Sequence, residues 1–403
     1  MRSSVTVHSA LKFIPLSETG WKKSILRIIG TQCQSMAVSR PRVYLLLAVT
    51  FALIGYLYLL MFPWLVFRSS FGLYEGLFKS QILVWSHLLF WLAVAAVSSL
   101  VSYRILRFRP AFQSGMLIGR EAAPSLFQLV AHQAGHYGTK VDRIVLSARF
   151  EIDIVKTPRC ALPVWSSNTL VIGLPLIQCL SDSRFQCALA RRLGQFSKRH
   201  NWLENWLYQL RTIWPQYCQR DQGNVFGYQP VRWFFLLYAP VFKVITVPAA
   251  HLDELAADNY AMELFNEEEV LDTIASQMVC YKYLADCYWP LMRKVALSKK
   301  ESVNDLHSTM ASVLRNILQS DKVAHWLART LSAEARWNDA RPLLVRRLDN
   351  IGHTQARMST VASMSAASVY LGPAFDKLRC SPEDKCRQEK QLFNNSGSRT
   401  CCG

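Results

Sequence analysis

Two short runs carry the residues whose types and spacing point to chemistry. The first is Arg191-Arg192-Leu193-Gly194-Gln195. Its outer residues are four apart, so on a helix they project from one side, one turn above the other. Two histidines in those slots, with a glutamate after the first, make the zinc-gripping H-E-x-x-H arrangement. Here all three chemical slots hold something else. The second run is His251-Leu252-Asp253-Glu254-Leu255-Ala256-Ala257-Asp258. Glu254 and Asp258 are also four apart. Two acids at that spacing are most simply an exposed helical face, but Ala256, Ala257 and Ala261 mark a closely packed helix.

Both runs need helices to position them. Ser181-Asp182 stands where an N-cap should, ahead of an amphipathic run. Phe185, Ala188, Leu189 and Phe196 share an apolar face, which predicts a helix from about Asp182 to about Lys198. Trp202 to Trp214 reads as an amphipathic helix stopped by Pro215. Trp233 to Ala249 is apolar except for Lys243 and is interrupted by Pro240. It reads as core or interfacial packing, with a re-entrant segment or one half of a hairpin with Trp202 to Trp214 as the other options. Upstream, Pro124 to Gln133 reads as a helix opened by proline in its first turn. Asp142 to Ser147, Glu151 to Lys156 and Asn168 to Gly173 are β-branched runs expected to form a small sheet. His132 and His136 also have helical i,i+4 spacing, but with Gln-Ala-Gly between them and Gly138 beyond they read as a helix end. Downstream, Glu269 to Val295, Leu306 to Leu318 and Val323 to Ala335 read as helices.

The frame around these runs resembles the membrane-bound zinc metallopeptidases of the HtpX heat-shock protease and CAAX prenyl endopeptidase type. It comprises Asn168-Thr169-Leu170-Val171-Ile172-Gly173-Leu174, Leu180-Ser181-Asp182, Leu189-Ala190, Leu193-Gly194 and Lys198-Arg199-His200-Asn201. The resemblance runs from about Ala123 to Ile351. It makes Glu254 the counterpart of the third zinc ligand and Asp258 that of a supporting residue one turn on. Asp339-Ala340-Arg341-Pro342, followed by Arg347-Leu348, resembles the family's closing motif, with Arg341 in place of its histidine. Arg191, Arg192 and Gln195 stand in the degenerate active-site positions. The implied fold is α+β, mostly helical: two N-terminal transmembrane helices followed by a zincin-like metallopeptidase domain with a small sheet. The implied setting is proteolysis and protein quality control.

The departures decide the expected chemistry. A catalytic zinc of this class needs two neutral imidazoles, a carboxylate and an open position for water, with a base to take the proton of that water. A guanidinium stays protonated, so it neither donates a lone pair to a metal nor accepts a proton. Gln195 is at best a weak oxygen ligand. No cofactor is expected, and none of the catalytic residues is intact. An alternative metal set from His200, His251 and Glu254 would restore zinc, although His200 lies five residues past Gln195, more than a turn away. Arg191 facing Glu254 would replace the metal by a charge-assisted pair between the same two helices. The simpler alternative has Arg191 and Arg192 in solvent.

Composition and topology complete the reading. The chain has 403 residues, 51% hydrophobic, and a net charge of +18. Val43 to Phe67 and Ile82 to Tyr103 are long enough to cross a bilayer. Basic residues crowd the far sides of this pair and are sparse between its members. The positive-inside rule then gives a multi-pass protein of the inner or plasma membrane with its main domain cytoplasmic. The expected organisation is a basic segment at 1–42, two transmembrane helices at 43–103, the peptidase-like domain at 104–354 and a polar, disordered tail at 355–403. Eleven cysteines without metal-site spacing suggest reduced thiols, and no nucleic-acid motif accompanies the charge. The sequence therefore reads as a catalytically inactive pseudopeptidase. Its expected partners are the membrane, membrane proteins or peptide segments, and an active peptidase relative. The rivals are an active zinc enzyme with an unorthodox site, and a basic membrane-surface module built on Arg191, Arg192, Lys198, Arg199 and His200.

Overall fold

The computed structural model describes residues 20–78, 85–107, 115–158, 166–197, 202–219, 228–298, 303–335, 337–353, 355–356, 358–359 and 364–372. His200, Lys198, Arg199 and the cysteines beyond 372 lie outside the described residues. The chain opens with α1 (Gly20–Ser39), inside the stretch read only as basic. Next come α2 (Pro41–Phe78) and α3 (Trp85–Leu106). Two stretches are long and apolar enough to cross a membrane, Pro41–Leu77 and Trp85–Leu106. The first runs past Arg68, which was expected to end it. The Arg68 guanidinium instead lies 4.8 Å from the Trp91 ring of α3, an attraction that holds a cation inside an apolar pair of helices. The two helices approach closely at Gly72, where an added Cβ would strike Trp91.

The sheet is small and mixed, in the order β1-β2-β4-β3. β1 (Gly115–Ile118) was not anticipated; β2 (Arg143–Ser147), β3 (Ile152–Pro158) and β4 (Ser166–Gly173) match the β-branched runs. β2 and β4 are parallel, and both edge pairings are antiparallel. Alternation sends Ile144, Leu146, Ile152, Ile154, Leu170 and Ile172 into the main core. Asp153 pairs with Val171 and so lies on the opposite face.

Helices cover the sheet. α4 (Pro124–Tyr137) ends at Gly138, whose φ of 63° is the left-handed conformation that closes a helix. His136 near that end reaches Glu263 at 3.4 Å, in keeping with a helix end. α5 (Leu174–Cys179) leads into α6 (Asp182–Gln195), the central helix. Ser181 is its N-cap by position, but its side chain makes no capping bond. Phe185, Ala188, Leu189 and Phe196 are buried as expected. α7 (Trp202–Gln219) continues through Pro215, which was expected to stop it. α8 (Gln229–Ile245) and α9 (Val247–Ala261) meet at a 51° bend, so the apolar run ends one helix and begins the next.

α10 (Glu267–Tyr283) starts with a reciprocal capping box between Asn266 and Glu269. The single helix expected to Val295 is broken by a π-helical turn at Leu284–Tyr288 before α11 (Trp289–Ser298). α12 (Val303–Gln319), α13 (Val323–Leu331) and α14 (Leu344–Ile351) follow, α13 ending four residues earlier than read. Part of the stretch expected to be a disordered tail is ordered, at 364–372. α15 (Ala366–Tyr370) buries Ala366 and Ala367 in the main core. Ser359 bonds both Arg184 and Asp272, tying this segment to α6 and α10.

A second apolar cluster joins α1, α2, α7 and α8, with Tyr44, Ala48, Ala52, Trp214, Phe235 and Phe242 at its centre. A third packs α6 against α9, α10 and α14.

Candidate functional site

α6 and α9 pack closely enough that their backbones nearly touch. A Cβ added to Gly194 would collide with the Cβ and ring of Tyr260. Ala257 and Ala261 are fully buried on the facing helix. Only a residue without a side chain fits at 194, so this glycine fixes the spacing across which Arg191 and Arg192 reach Glu254 and Asp258.

Those four residues meet. Arg191, 6% exposed, donates from Nε to Asp258 Oδ1 at 2.7 Å and from Nη2 to Glu254 Oε2 at 3.2 Å. Its Nη1 donates to Gln277 Oε1 of α10 at 2.8 Å. Arg192 donates from Nη1 to Glu254 Oε1 at 3.0 Å and to Gln195 Oε1 at 2.6 Å. The two arginines therefore turn inward, not into solvent, and neither contributes to a basic surface patch. Arg347 of α14 grips Asp258 with two bonds, at 2.8 and 2.5 Å. Each carboxylate is thus shared by two guanidinium groups, and Arg347 meets Asp258 in the fork geometry that makes such pairs strong.

The electrostatics follow from burial against this ring of cations. Burial by itself would raise the Glu254 carboxyl, but Arg192, then Arg191 and Arg347, outweigh it and hold it at about 2. Burial opposes the charge on Arg192, yet Glu254, Tyr208 and Asp153 keep it more firmly protonated than usual. Beside it, burial pushes the Asp153 carboxyl up to about 6 against the pull of Arg192. Tyr208 of α7 donates to both Asp153 oxygens, at 3.0 and 3.1 Å, joining the edge strand to the helix.

The remaining predicted residues lie around this centre. His251 Nε2 donates to the backbone carbonyl of Asp339 at 2.8 Å, and burial lowers its pKa, so it is held neutral against a loop. His251 and Glu254 are thus engaged with different groups, and His200 is outside the described residues. Arg341 stacks over the Tyr281 ring at 3.6 Å. Gln277, Asp153 and Tyr208 escaped sequence reading. The only local signal was the oddity of a polar residue inside apolar runs, such as Asp153 between Ile152 and Ile154.

These residues do not fit a zinc ion. Both Glu254 oxygens and the Gln195 carbonyl already accept from guanidinium groups, and the neighbouring cations repel a second one. Among the described residues no group of three or more His, Cys, Asp or Glu side chains is placed to hold a metal. What the arrangement does chemically is lock three helices through fixed charges. It offers no free general base on α6. No protein-family model, curated protein or solved structure matches the chain.

Proposed function

We propose that the chain is a membrane-anchored pseudopeptidase of the HtpX-like fold, which binds membrane proteins or peptide segments without cutting them. The observation that carries this reading is the ion cluster. Guanidinium groups occupy the helical slots where the resemblance puts the first ligand and the base, with Gln195 in the second ligand slot, and they consume the carboxylates that a metal would need. In this reading the cluster replaces the metal as the link between α6 and α9 and frees the scaffold for binding. The basic residues around α1 and the ends of α2 and α3 (Arg27, Arg40, Arg42, Arg104 and Arg107) favour the cytoplasmic side for the main domain. An active relative, or the membrane proteins such a relative would cut, are the partners this reading selects.

The test is elemental analysis of the detergent-purified protein together with a casein-type cleavage assay on the same sample. Zinc far below stoichiometry and no cleavage are the expected results. About one zinc per chain, lost with Glu254→Gln, would overturn the reading, because an intact catalytic zinc site binds stoichiometrically through its carboxylate.

A further inference from the structure

We infer that α7 and α8 form a hairpin inserted in the bilayer beside α2, in addition to the two spans that length and composition single out. The inference does not rest on the pseudopeptidase reading. It comes from the register between α8 and α2. Tyr44 donates to the Ile245 carbonyl at 3.0 Å and accepts from the Ala249 N–H at 3.0 Å. Seven residues further along α2, Tyr238 donates to the Phe51 carbonyl. Seven further still, Tyr58 donates to the Pro230 carbonyl at 2.9 Å and stacks on Phe234 at 3.8 Å. As the number rises on α2 it falls on α8, so the two helices run antiparallel, side by side, from Tyr44 to Tyr58. That is ~21 Å of helix at 1.5 Å per residue, against a hydrocarbon core of ~30 Å. α7 packs against both helices, with Trp214 on Phe242 at 4.3 Å, Tyr217 on Phe235 at 4.7 Å and Trp206 stacked on Tyr56 of α2 at 5.9 Å.

α2 is charge-free from Val43 to Phe67. A helix in register with that stretch shares its depth. The outer face of α8 suits this: Trp233, Leu236 and Leu237 are exposed at helical spacing, continuing the exposed Leu53 and Leu57 of α2. Of the exposed charges of α8, Lys243 lies near the bend and Arg232 two residues from the bonded Pro230, at the start of the helix. A donor of α7 is bonded within the hairpin. Arg211 of α7 gives Nη1 to the Lys243 carbonyl at 2.7 Å and to Thr246 Oγ1 at 2.6 Å. Such pairing is the condition for polar groups at this depth.

The ion cluster then fixes the topology. α6 precedes the hairpin, α9 follows it, and Arg191 binds Glu254 and Asp258 across the two. The chain between them must leave and return on one side of the membrane. The bend between α8 and α9 is therefore the exit of the hairpin and not the middle of one broken span. Glu254 lies five residues beyond the bonded Ala249, ~8 Å along α9, so the cluster sits just below the membrane surface.

The test uses the full-length protein in lipid nanodiscs containing phosphatidylcholine with a photoactivatable diazirine, placed either at the acyl-chain end or on the headgroup. Adducts are mapped by peptide mass spectrometry. The expected result is acyl-end labelling at Leu236 and Leu237 in yield comparable to Leu53 and Leu57 of α2. Acyl-end adducts confined to α2 and α3, or labelling of α8 by the headgroup probe alone, would overturn the insertion. Neither outcome bears on zinc content or cleavage, so this inference and the functional reading fail separately.

Discussion

Arg191→Met is the most informative single change in the ion cluster. Methionine keeps most of the side-chain length and removes three bonds: to Asp258, to Glu254 and to Gln277. Removing one partner of a buried pair costs ~3–5 kcal/mol, since the other charge is left uncompensated. Neither carboxylate is wholly abandoned here. Asp258 keeps both bonds from Arg347, and Glu254 keeps Arg192. The loss should therefore fall at the lower end, ~3 kcal/mol. Arg192→Met should cost less, ~1–2 kcal/mol, because that side chain is 19% exposed and Glu254 retains Arg191. Chemical denaturation in detergent measures both values, and hydrogen exchange of α9 locates them. In the double variant Arg191→Met/Asp258→Asn the losses should fall short of additivity by at least ~1 kcal/mol, as for residues in contact. A change for Arg191→Met within ~0.5 kcal/mol of wild type, with α9 exchange unaltered, would refute the idea that this cluster holds the helices together.

Other consequences can be measured on the same protein. Glu254 is held at about 2, below its unfolded value of ~4.3, so its contribution is full above that value and lost as pH falls toward 2; the stability gap between wild type and Glu254→Gln should be flat from neutral pH down to ~4.5 and close below it. Asp153 works the other way: with its carboxyl raised to about 6, the folded state holds the proton, and the contribution present below ~3.9 is lost as pH rises through 6. Asp153→Asn should therefore gain on wild type across that window and no further above it. Gly194→Ala should lower stability by at least ~2 kcal/mol through overpacking against Tyr260, read as a fall in denaturation midpoint; an unchanged midpoint would mean that α6 and α9 separate freely. Finally, Arg191→His/Arg192→Glu/Gln195→His should acquire about one zinc per chain with Glu254 as third ligand, measured by elemental analysis, and failure to do so in a folded variant would break the proposed correspondence with the metal helix.

Local pattern was enough for the elements that carry the site. Phe185, Ala188, Leu189 and Phe196 mark the buried side of α6, and its span is read to within a turn. Ala257 and Ala261 mark α9 as packed, and the pairing of Arg191 with Glu254 follows from charge at helical spacing. Breaks inside apolar runs were harder to see. The π turn at Leu284–Tyr288 shifts the helical phase with no glycine or proline inside it to mark the break. Pro215 is tolerated inside α7 although its ring removes a helix bond. Partners supplied from far away left no local trace. Arg347 lies 89 residues from Asp258, and Gln277 lies 86 from Arg191. α1 was invisible for another reason: among its described side chains the buried positions are Leu26, Gly30 and Cys33, so its pattern is weak.

The cluster also sets an order of assembly. A chain made from its N-terminus presents Arg191 and Arg192 first, their carboxylates 63 and 67 residues later, and Arg347 a further 89 residues on. Until α14 emerges, Asp258 has one cation where the finished protein gives it two. Closure of the site is therefore a late event in synthesis, and the last guanidinium to arrive reports that the domain between α6 and α14 has been completed.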